Sequence, residues 1–166
     1  MKNNDLLSAM IRYYSGDPKR IQHFVKVYNF AKIIGEGEKL DNESQHILET
    51  AAIVHDIGIK IAEEKYGKCN GKLQEQEGPA EAEKLLYSLG YDENIVKRVS
   101  YLVGHHHTYT NVDGIDYQIL LEADFLVNIY EDDLNDNSIN NAYENIFKTK
   151  TGREICRIMF CLGIEE

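Results

Sequence analysis

Apolar residues return at every third or fourth position along most of the chain, the period of an α-helix rather than of a strand. The sharpest start is "GDPKRIQHF", where Asp17 is placed to cap a helix and Pro18 to fill its first position. That helix is predicted to run to Gly35. Ile21, Phe24, Val25, Tyr28 and Ala31 form one stripe, and His23, Val27, Phe30 and Ile34 a second, so most of its circumference is apolar and it belongs at the centre. A second helix follows "LDNES", where Asn42 and Gln45 have capping-box spacing; it runs to His55–Asp56 and stops before Gly58.

Residues 59–78 break the pattern, being charged, weakly periodic and holding three of the twelve glycines. They read as a long loop or a short helical lid. "GPAEAEKLLYSLG" resumes the helical period, entered at Pro79 and ended at Gly90, with Ala82, Leu85, Leu86 and Leu89 inward. "DENIVKRVSYLVG" runs from Asp92 to Gly104, and "IDYQILLEADFLVNIYED" is a long apolar helix capped by Asp116. "EDDLNDNSINN" reads as a polar connection. Thr151 and Glu154 then have capping-box spacing, before Ile155, Ile158, Met159 and Leu162 at helical intervals. With no internal repeat, the expectation is an all-α, single-domain bundle of about seven helices over the 166 residues.

Charge narrows the partners. A formal net charge of −10 excludes a broad nucleic-acid surface, which needs clustered Lys and Arg, but allows a small anion where positive charge is concentrated. No apolar run is long enough to cross a membrane, and "MKNNDLLSAM" lacks the apolar segment of a signal peptide. Cys69, Cys156 and Cys161 fit no disulfide or zinc spacing, so a cytoplasmic location is expected. "EICRIMFCLGI" reads as core, with pairing into a homodimer as its alternative use.

The candidate chemistry lies in polar residues set into apolar rows. His23 precedes Val27 and Phe30 by one and two turns, His55 continues the row of Leu48, Ala51 and Ala52, Asp56 adjoins it, and Asp124 sits within "LLEADFLVN". An unpaired carboxylate in such surroundings costs several kcal/mol, so Asp124 needs a cation. Arg98 or Arg20 could serve, and a lone histidine in an apolar row is commonly a satisfied core residue. Alternatively, two imidazoles and two carboxylates make a mixed nitrogen–oxygen set suited to Mn, Fe, Co, Ni, Zn or Mg. On residue types alone both readings stand.

The order His23, then "AAIVHDIG", then "LLEADFLVN", with "DPKRIQHFVKV" around the first histidine, resembles the HD-domain superfamily of metal-dependent phosphohydrolases over about residues 17–130. The resemblance implies that His23, His55, Asp56 and Asp124 hold a divalent metal inside a helical bundle. Members with two metals add a histidine near the helix after the lid and a later histidine or His-His pair. The matching positions are taken here as Glu77 and as His105 with His106, leaving His107 a bystander, so one firm site and an optional second are expected. The implied activity is hydrolysis of a small phosphate ester, a nucleotide first among them, by a metal-activated water. Asp56 would ligate and orient that water, His106 would protonate the leaving oxygen, and Arg20, Lys60, Glu77 and His105 would contact substrate. A di-iron oxygenase and a non-catalytic nucleotide-binding sensor are the alternatives on the same architecture.

Overall fold

The structure, a computed structural model, describes residues 2–163, and its regular elements there are all helices. In chain order they are α1 (Lys2–Tyr13), α2 (Pro18–Gly37), α3 (Asn42–Val54), α4 (Gly58–Tyr66), α5 (Gly71–Ser88), α6 (Glu93–Val103), α7 (Ile115–Glu131), α8 (Asp136–Asn145) and α9 (Lys150–Met159). α7 is the axis: Ile119, Leu120, Ala123, Leu126 and Ile129 are buried along it, and α2 and α3 pack against it and each other. α6 lies on α3, α5 on α6 and α4 on α5, while α9 docks on α7 and α2. Among the described residues no helix is long and apolar enough to cross a membrane.

α2 begins as its sequence dictates: the Asp17 side chain accepts from Arg20 N at 3.1 Å, with Pro18 at the first turn. Elsewhere the caps shift. Asp41, not Asn42, caps α3, its Oδ1 accepting from Glu43 N and Ser44 N, each at 3.0 Å. Thr149, not Thr151, caps α9 through Gly152 N. Asp116 does not cap α7, which starts at Gly114; its carboxylate receives Arg98 at 2.7 and 2.8 Å instead. "EDDLNDNSINN" carries α8, capped by Asn135, rather than a loop. On α9, Cys156 turns inward, but Ile158 and Met159 are exposed rather than core.

The largest correction concerns residues 59–78, which form α4 and the first half of α5. Pro79 therefore sits inside α5, where it forgoes one backbone hydrogen bond, and the helix starts eight residues earlier with Asn70 as cap. The two helices cross at backbone contact. A Cβ on Gly58 would come within 2.7 Å of Gln74 O and Gly78 N, so glycine alone permits the approach. Packing by backbone leaves no apolar stripe, which is why the period of 3.6 fades there.

Glu122, fully buried on α7, illustrates a closed polar site. Its Oε1 accepts from Gln118 Nε2, Lys148 N and Thr149 N at 2.7–2.8 Å, and its Oε2 from the Thr149 hydroxyl at 2.5 Å. Backbone and side-chain donors satisfy the carboxylate and tie the start of α9 to the core.

Candidate metal centre

Asp124, two residues further along α7, is the opposite case. It is 4% exposed, and its Oδ1 has no hydrogen-bond partner among the described residues. His23 Nε2 comes within 3.2 Å and His55 Nε2 within 3.6 Å, neither with hydrogen-bond geometry. The arginines that might have neutralised it are engaged elsewhere: Arg98 with Asp113 and Asp116, Arg20 with Asp17 and Glu63.

Three helices converge here. α2 supplies His23, the turn after α3 supplies His55 and Asp56, and α7 supplies Asp124. Neighbouring helical residues diverge by about 100°. His55 and Asp56 nevertheless meet, because α3 ends at Val54 and Asp56 lies in the turn to α4. Asp56 Oδ2 is 3.4 Å from His23 Nε2 and 3.5 Å from His55 Nε2, and the two Nε2 atoms are 3.2 Å apart.

The far side of each ring fixes its tautomer. His55 Nδ1 donates to Ala52 O at 2.9 Å, and His23 Nδ1 to Glu131 Oε2 at 2.9 Å. Each neutral ring therefore turns an Nε2 lone pair toward the other and toward two carboxylates. Lone pairs facing lone pairs repel, so a cation or added protons must sit between them. Without a metal, protons do so: burial alone would lower His23, but Asp124, Asp56 and Glu131 outweigh it and push its pKa up to about 9. His55 is raised by the same carboxylates against the pull of burial. Burial likewise opposes ionisation of Asp56 and Asp124, yet the imidazoles hold both well below the usual carboxylate range. His23, His55 and Asp56 offer atoms close enough together to hold a divalent ion, and the orphaned Asp124 Oδ1, 3.2 and 3.6 Å from the same two imidazole nitrogens, fits as the fourth ligand.

A second group shares Asp56. Its Oδ1 is 3.4 Å from His106 Nε2, and His107 completes a trio able to hold an ion. Two expectations change here. His105 turns away, stacking on Tyr101 with its Nδ1 on Tyr101 O at 2.7 Å, so His107 joins His106 in its place. Glu77 is taken up by Lys65, by Tyr66 at 2.8 Å and by Gln76 at 3.0 Å, away from the histidines. The α5 residue that meets them is Gln74, whose Oε1 is 3.3 Å from His106 Nε2 and 3.0 Å from His107 Nε2. Glu77 contacts neither ligand group, and one helical position explains it: Gln74 lies one turn before Gly78, which packs against Val103 at the end of α6.

A cleft of about 240 Å³ opens beside His23 and Asp56, with Lys19, Arg20 and Asn128 on its wall. Arg20 thus borders the centre. Lys60 does not line this cleft; its ammonium donates to Tyr13 O at 3.2 Å and lies over the Tyr13 ring.

Glu131 is the contributor that the sequence reading missed. It stands seven residues after Asp124, on the same face of α7, and that spacing could have revealed it. Held by Lys26 at 2.7 Å, it receives the Nδ1 proton of His23 and so aims the opposite nitrogen inward. Glu131→Gln is expected to weaken metal binding by about 10- to 100-fold while leaving the fold intact. Competition against a chelator checks this.

The HD-domain family model matches residues 20–138. The crystal structure of a predicted HD superfamily hydrolase from an uncultured Thermotogales bacterium resembles this chain with a TM-score of 0.68 and 25% identity, over 95% of this chain and 84% of that one. No curated protein matches the chain.

Proposed function

Because the chain belongs to the HD-domain family, we propose that it is a metal-dependent phosphohydrolase acting on a small phosphate ester, with a nucleotide as the favoured class. The observation that carries this reading is the buried Asp124 Oδ1, without a hydrogen-bond partner among the described residues and 3.2 and 3.6 Å from two imidazole nitrogens whose other sides are already bonded. Bound there, a divalent ion supplies Lewis acidity, acidifying its water and offsetting charge on the phosphoryl oxygens.

The chain's own groups do the rest. Lys19 brings positive charge to a cleft that also presents Arg20, His23, Asn128 and the carboxylates of Asp56, Glu131 and Asp132, and so draws in the phosphoryl group. Asp56, kept ionised by the imidazoles around it, accepts a hydrogen bond from the attacking water and orients it. As the water's oxygen bonds to phosphorus and the ester P–O bond breaks, His106 in its imidazolium form would deliver the Nε2 proton to the leaving oxygen, and the water's proton would leave on the released phosphate. The Nδ1–H of His106 stays on Val103 O at 2.7 Å, which fixes the ring for that transfer. Asp56, His106, His107 and Gln74 would be the ligands of a second ion, in which case His106 would bind rather than donate a proton; the set is weaker than three histidines because an amide oxygen replaces an imidazole.

That substitution also counts against the di-iron oxygenase, which needs the full ligand set. Turnover of a panel of phosphate esters with Mn or Co tests the proposal. Cleavage of one nucleotide class supports it. Tight nucleotide binding without cleavage of any ester would instead favour a sensor, and iron-dependent oxygen consumption an oxygenase.

A further inference from the structure

A second cavity, of about 220 Å³, lies beside the metal-side cleft, and Arg20 stands on the wall of both. Tyr13, Tyr14, Ser15, Asp17 and Lys60 also line it. The two chambers are mechanically joined as well as adjacent, since the Tyr14 hydroxyl donates to the backbone carbonyl of Asp56 at 2.7 Å. In a chain with 28 acidic and 18 basic residues, a lysine on a small cavity with no carboxylate partner among the described residues calls for an anion.

Arg20 is already ion-paired to Asp17 and Glu63, so the charge that faces the cavity is that of Lys60. Asp17 is occupied in capping α2 and in holding Arg20 at 3.2 Å. Lys60 has no carboxylate partner among the described residues. One of its three N–H bonds goes to the Tyr13 carbonyl and its ammonium lies 5.0 Å from the centre of the Tyr13 ring, which holds the charge at the cavity wall. Arg20 meets Glu63 through both guanidinium nitrogens, at 2.5 and 3.1 Å, the two-point geometry by which a guanidinium also takes a phosphoryl group.

From this we infer that the second cavity is a subsite for a second anionic group on the substrate, held by Lys60 while the scissile phosphate sits at the metal-side cleft. The inference rests on the phosphohydrolase reading and narrows it: the substrate class is a phosphate ester bearing a further phosphate or carboxylate. Lys60 is then a specificity residue that acts remotely from the cleaved bond, and Ser15 offers a hydroxyl to the same group.

The test compares a nucleoside 5′-monophosphate with the matching 3′,5′-bisphosphate on the metal-loaded protein and on Lys60→Met, which keeps the stem and removes the charge. The parent is expected to favour the bisphosphate by about tenfold in kcat/KM, as a charge-assisted contact would give. Lys60→Met is expected to erase that ratio, chiefly through KM. No preference in the parent, or an equal loss for both esters in the variant, overturns the subsite. If neither ester is cleaved, this nucleotide pair is ruled out as substrate while the wider ester panel decides the phosphohydrolase reading, and calorimetric dissociation constants of the same pair decide the subsite alone. Tighter bisphosphate binding that disappears in Lys60→Met upholds it, and equal binding by the parent overturns it.

Discussion

Asp56→Ala is expected to lower metal affinity by at least about a hundredfold and kcat by about a thousandfold. Among the described residues Asp56 is the one ligand that belongs to both donor groups. Its Oδ2 lies 3.4 Å from His23 and 3.5 Å from His55, and its Oδ1 lies 3.4 Å from His106. Removing it takes away a ligand charge, the water-orienting acceptor and the link between the two groups. The fold should survive, because the tie from Tyr14 reaches the backbone carbonyl of Asp56 rather than its side chain. Elemental analysis of purified parent and variant, with kcat and a thermal melt of each, separates these effects. Equal metal content in both would remove Asp56 from the ion.

Metal affinity is also expected to fall steeply with acidification, by about one decade per pH unit for each imidazole proton displaced. His23 is pushed up to about 9 from an ordinary 6.5, so it carries a proton at neutral pH in the metal-free protein, and the same carboxylates raise His55. A metal needs those Nε2 lone pairs, and binding near pH 7 must therefore release protons. Calorimetry in buffers of different ionisation heat counts them directly; an affinity independent of pH between 6 and 9 would contradict the assignment. The metal-free fold has the matching stability profile. The raised His23 contributes stability that is complete below 6.5 and lost as pH climbs through about 9. The lowered Asp56 and Asp124 contribute above their ordinary 3.8 and lose it as pH falls. The metal-free protein is thus most stable between about pH 4 and 6.5, and added metal matters most on the alkaline side.

The helices with a deep apolar face were legible in the chain. α2, α6 and α7 stand close to where their stripes place them, because burial of those faces is what makes them helices. α5 and α8 were hidden for different reasons. The first half of α5 packs through Gly58 and Gly78, which leave no apolar period to read, and α8 buries only Ile139 and Ala142. Once α5 was started late, at Pro79, the helical face of its first half could not be assigned, and Glu77 stood in for Gln74. Likewise "HHH" does not say how the chain turns after α6. The Tyr101 ring decides it by holding His105 outside, which leaves His106 and His107 to face Asp56. Caps moved by one or two residues wherever two polar candidates were adjacent, as at Asp41 and Asn42. His23, His55, Asp56 and Asp124 were visible because a polar group in an apolar row needs an explanation, whatever the register of its neighbours.

Anomalous diffraction from metal-soaked crystals, at the absorption edge of Mn or Co, bears most directly on the claim that these four side chains share one ion. The account requires a strong peak enclosed by His23 Nε2, His55 Nε2, Asp56 Oδ2 and Asp124 Oδ1, about 2.0–2.2 Å from each. Density without such a peak, the imidazoles still ion-paired to the carboxylates in excess metal, would contradict it.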